Sequence, residues 1–66
     1  MTADQAIRFA AENGAEMHRD RDLLTSLSVM LGYDNPRTRA AIEAITKKHQ
    51  GMVDEFMTRE NEKAQS

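Results

Sequence analysis

The stretch Gly32-Tyr33-Asp34-Asn35-Pro36 decides how this chain folds, because it is the one break between two long helical patterns. Gly32 can adopt the left-handed backbone that closes a helix, and Tyr33 is expected to fold back onto Leu27 or Ser28. Pro36 disfavours helical geometry in the residue before it and suits a first helical position, so Asn35 is the expected cap of a second helix. Working back from the break, apolar or small residues recur every seventh position at Ala3, Ala10, Met17, Leu24 and Leu31. Working forward, the same period gives Ile42, His49 and Phe56, with Ile45 and Met52 beside them. Folding the chain at Gly32 sets Leu24 opposite Ile42, Met17 opposite His49 and Ala10 opposite Phe56. The pattern predicts an all-α fold, a two-helix antiparallel hairpin of coiled-coil type.

The ends of the helices are also marked. Thr2 and Gln5 have the spacing of a capping box, which starts the first helix. The predicted organisation is a single domain, 1–66, with helix 1 at about 3–31, a turn at 32–35 and helix 2 at about 36–60. A frayed tail is expected at 61–66, where no apolar residue anchors the chain. Strands are not expected, since β-branched residues never alternate with polar ones.

Composition narrows the function. A chain of 66 residues has room for one small core, and cores of this size usually need disulfides, a metal or oligomerisation. Cysteine is absent, which removes disulfides and thiolate metal sites. No apolar run approaches the roughly 18 residues that span a bilayer, and a basic, apolar leader is not seen, so the expected location is cytoplasmic. Net charge is −2, but the charge is unevenly placed. Residues 19–48 carry six cations and four anions, whereas the rest of the chain carries three cations and seven anions. The turn half of a hairpin is then mildly basic and its open end acidic.

A second apolar stripe on helix 1 is formed at the same period by Phe9, Leu23 and Met30, with Leu27 between the two stripes. One hairpin cannot cover both stripes, and an exposed apolar strip on a small domain is costly. These residues are therefore the expected partner or dimer interface, with two hairpins closing a four-helix bundle. Gly14, costing its helix roughly 1 kcal/mol relative to alanine, is expected to allow close packing opposite Met52 to Phe56.

Other groups have chemical potential. His49 lies in the centre of the helix 2 stripe, facing Met17, His18, Asp20 and Arg21. It is read as a hydrogen-bonded core imidazole, with His18 and His49 as a candidate pH switch. His18, Asp22 and His49 are the set with metal-ligand chemistry, although no fixed metal motif is present and no cofactor is expected. Arg37 and Arg39, with Lys47 and Lys48 one face further on, are candidate anion contacts at the start of helix 2. No nucleophile stands beside either histidine, and no phosphate loop or HExxH motif occurs, so the chain is not expected to be an enzyme.

Three functions fit this pattern. The leading expectation is a small non-catalytic regulator or adaptor, of inhibitor or small-chaperone type, that homodimerises and acts through protein–protein contacts of a helical face. Five methionines in 66 residues suit an adaptable contact surface. The alternatives are a dimeric nucleic-acid-binding regulator using the basic turn half, and a metal- or pH-responsive module centred on His49.

Overall fold

The computed structural model describes residues 1–65. Two helices, α1 (Ala3–Leu31) and α2 (Pro36–Gln65), lie antiparallel in an elongated hairpin of 48 × 17 × 14 Å. No strand occurs among the described residues.

The helix ends form through the local signals. The Thr2 hydroxyl accepts from the Gln5 N–H at 3.2 Å, and the Gln5 side chain accepts from the Thr2 N–H at 2.8 Å. Two of the N–H groups that a helix start leaves orphaned are thereby satisfied. At the other end the Gly32 N–H donates to the Ser28 carbonyl at 3.0 Å. The Asn35 side chain accepts from the Arg37 N–H at 2.9 Å and so caps α2.

Three expectations are corrected at this level. Gly32 has φ 88° and ψ 155°, a positive φ with extended ψ rather than the left-handed helical form. Tyr33 accordingly does not fold back on α1; it is 70% exposed and borders a shallow groove with Arg39, Ile42 and Glu43. The tail expected to fray from residue 61 is helical as far as Gln65. Its residues are good helix formers, and Arg8 reaches across from α1 to hold Glu60 with its Nε at 3.0 Å. The frayed-tail expectation for Ser66 lies outside the described residues.

The core is small. Phe9 and Phe56 are its buried apolar side chains, with ring centroids 5.5 Å apart and planes at 74°, an edge-to-face pair. Arg59 lies over the Phe56 ring, 6.0 Å from its centroid, and also binds Glu12 at 3.0 Å. Phe9 was expected on the outer strip; the structure turns it inward. The reason is size: Ala10, the residue assigned to the inner seam, has one methyl to bury, while a phenyl ring removes several times more apolar surface from water. α1 is thus rotated so that Gln5, Phe9, Asn13, Met17, Asp20, Leu24 and Leu27 approach α2, and Ala10 is left exposed. Leu31, the last residue of the seven-residue stripe, is 44% exposed. Thr38, in the first turn of α2, is fully buried, and its hydroxyl has no hydrogen-bond partner among the described residues.

Candidate functional site

The hairpin has two unlike flanks. α1 reaches α2 through ion pairs from Arg8, Glu12, Glu16 and Asp20. Lys48 lies between Glu16, at 2.9 Å, and Asp20, at 3.0 Å, and so ties α2 to successive turns of α1. His49 Nε2 sits 2.8 Å from the same Asp20 oxygen, with only 22% of its side chain exposed. The sequence reading that His49 is a hydrogen-bonded, part-buried imidazole matches this geometry, with Asp20 as the partner.

Asp20 is the hub of the cluster. Hydrogen bonding from His49, and then from Lys48, holds its carboxyl below the usual aspartate range. Hydrogen bonds to Glu16 and Asp20 push the Lys48 ammonium above the ordinary lysine value. A carboxyl whose folded pKa lies below its unfolded pKa adds stability above the unfolded value, about 3.9, and loses it as pH falls through the folded one. The raised lysine does the reverse, adding stability below its unfolded value and losing it as pH rises through the folded one. Thermal melts between pH 2 and 6 are therefore expected to show an acid loss of stability that is shallower in Asp20→Asn. An unchanged acid profile in that variant would remove Asp20 from the account.

The opposite flank carries no ion pair between the helices among the described residues. It holds a groove of about 470 Å³ lined by Gly14, Met17, His18, Arg21, Leu24, Ile45, Thr46 and His49. A Cβ added at Gly14 would meet nothing within 4 Å. The close approach to Met52 and Phe56 expected of this glycine is therefore not made within the chain.

The remaining predicted residues are scattered. His18 faces Asp22 on its own helix at 3.5 Å, and His49 faces Asp20, so the two histidines and Asp22 do not converge. No group of three metal-ligating side chains comes together among the described residues. Of the four candidate anion contacts, Arg39 lies 3.6 Å from Asp34, Lys47 lies 3.2 Å from Glu43, and Lys48 is held by Glu16 and Asp20. Arg37 alone of the four makes no ion pair among the described residues. Thr38 between the two arginines is sealed from solvent. The basic turn is thus largely neutralised by its own carboxylates.

What stands out instead is uncovered apolar surface. Ile7 is 68% exposed, Leu23 53%, Val29 81% and Met30 70%, where the described residues include only two buried apolar side chains. Leu27, the fourth member of the strip predicted from sequence, is half-buried at the seam. Ile7 and Val29 escaped the sequence reading because they fall outside both seven-residue stripes. No helix among the described residues is long and apolar enough to cross a membrane. Comparison with protein-family models, with curated proteins and with solved structures yields no match.

Proposed function

We propose that this chain is a small non-catalytic regulator or adaptor that works as a homodimer, two hairpins completing one four-helix core. The observation that carries this reading is the imbalance between buried and uncovered apolar groups: among the described residues Phe9 and Phe56 are the buried ones, while Leu31 is 44% exposed and Met17 and Leu24 are only half-buried. Two helices bury too little surface to offset the entropy of ordering a chain of this length, and a second pair of helices supplies the missing contacts. Once dimeric, the exposed Leu23 and Met30 are offered to a protein partner, where flexible methionine tolerates several complementary shapes.

The pairing of Arg39, Lys47 and Lys48 with carboxylates speaks against a phosphate-binding turn, since each cation is already partnered. Light scattering of the purified chain at micromolar concentration should give twice the 7.5 kDa protomer mass. Its melting temperature should rise with concentration, as mass action requires of a coupled folding and association. A 7.5 kDa species whose melting temperature is independent of concentration would refute the proposal.

A further inference from the structure

We propose that the second copy seats antiparallel on the groove flank, α1 against α1, about a twofold axis beside Met17. This rests on the dimeric reading above and assigns its face and direction.

The hairpin has more surface than its mass warrants. A compact monomer of 7.5 kDa is expected to expose about 4,250 Å², whereas this chain exposes 5073 Å². The surplus, about 800 Å², is what one partner contributes to an interface of standard size.

The groove flank is where that surface is free to pair. Ala3, Ala10 and Leu31 are exposed, and Met17 and Leu24 only half-buried, although they form the most regular stripe in the sequence. A strict seven-residue period is the signature of a helix that supercoils against another helix. Within the chain, α2 covers it only in part: Met17 and Leu24 share the groove with Ile45 and His49, while Ala3, Ala10 and Leu31 stay exposed, because α1 turns Phe9 inward instead.

Inverted upon itself, the stripe is complementary in size. With the axis at Met17, Ala3 meets Leu31 of the second copy, Ala10 meets Leu24, and Met17 meets Met17. Each small residue thereby faces a large one, as a filled core requires.

Charge favours the same direction. Along α1 the half before Met17 carries Arg8 against Asp4, Glu12 and Glu16, while the half after it balances Arg19 and Arg21 against Asp20 and Asp22, so the antiparallel seat keeps the two acidic halves apart. A parallel arrangement would set like halves together. Complementary potentials of this kind select direction more than they add affinity.

The absence of cysteine makes the test direct. Disulfide formation needs Cα atoms within about 7 Å. Met17→Cys, at the axis, should form a covalent dimer by itself under mild oxidation. Ala10→Cys should not, since its two copies would be about 21 Å apart along the helices. Ala10→Cys mixed with Leu24→Cys should cross-link, while Leu24→Cys alone should not. Independently, Ala10→Arg should halve the mass in solution, while Leu23→Lys should leave it unchanged. Ala10 is exposed in the single hairpin, so the arginine disturbs nothing inside it. A dimer in which Met17→Cys stays unlinked, or Ala10→Cys links to itself, overturns this face and direction and leaves the dimeric reading standing. A monomeric native chain overturns both.

Discussion

Phe56→Ala should leave the chain mostly unfolded at 25 °C, read as loss of most of the helical circular dichroism signal. Phe56 is 3% exposed and makes the edge-to-face contact with Phe9 that forms the centre of the core. Truncating a buried phenylalanine costs about 3–5 kcal/mol, and a core in a chain this short supplies about the same total. The Arg59 guanidinium over the ring loses its seat as well, so its bond to Glu12 becomes a purely exposed pair. Phe9→Ala should follow the same course with a smaller loss, since Phe9 is nearer the surface at 9% exposure. A Phe56→Ala chain that melts within a few degrees of the native one would show that stability resides elsewhere, with the dimer interface the first place to look.

Substitution of Gly32 has the second largest expected effect, and its pattern is diagnostic. At φ 88° and ψ 155° the residue occupies a backbone region that is essentially glycine-only. Gly32→Ala should cost about 1–3 kcal/mol of unfolding free energy, measured by urea titration. A side chain there would meet nothing within 4 Å, so the loss comes from the backbone alone. Asparagine relieves strain at an ordinary left-handed helix cap, but not here. Gly32→Asn should therefore be as destabilising as Gly32→Ala, and a clear rescue by asparagine would mean that the turn takes the left-handed form in solution.

These two residues also mark how far the fold can be read from the amino acids. Thr2 with Gln5, Gly32, and Asn35 with Pro36 act on atoms within about four residues of themselves, so the start, the turn and the antiparallel return are legible directly. The partnership of His49 with Asp20 was legible as one of four neighbours, because folding at Gly32 sets the level at which the helices meet. Rotation of α1 about its own axis was not legible. Seven-residue and 3.6-residue periods drift apart by about 20° per heptad, so neighbouring stripes compete for the same seam. Phe9 against Ala10 is that competition in one pair of adjacent residues.

The basic turn illustrates a second kind of blindness. Arg39, Lys47 and Lys48 read as a cationic patch because counting charges along a chain ignores which carboxylates fold beside them. Asp34 and Glu43 are local, but Glu16 and Asp20 come from the other helix and reach Lys48 only once the hairpin has formed. Likewise, nothing local announces that Thr38, a polar residue in a first helical turn, becomes the most buried of the described residues.

By itself the sequence determined that there are two helices, where the first begins, where the chain reverses and how the two arms are levelled, since those depend on caps, glycine and proline acting locally. Only the tertiary structure decided which faces are spent inside the hairpin. That choice is made by burying the larger ring when two stripes cannot both be covered, and it leaves Ala3, Ala10 and Leu31 of the more regular stripe exposed and Met17 and Leu24 only half-covered.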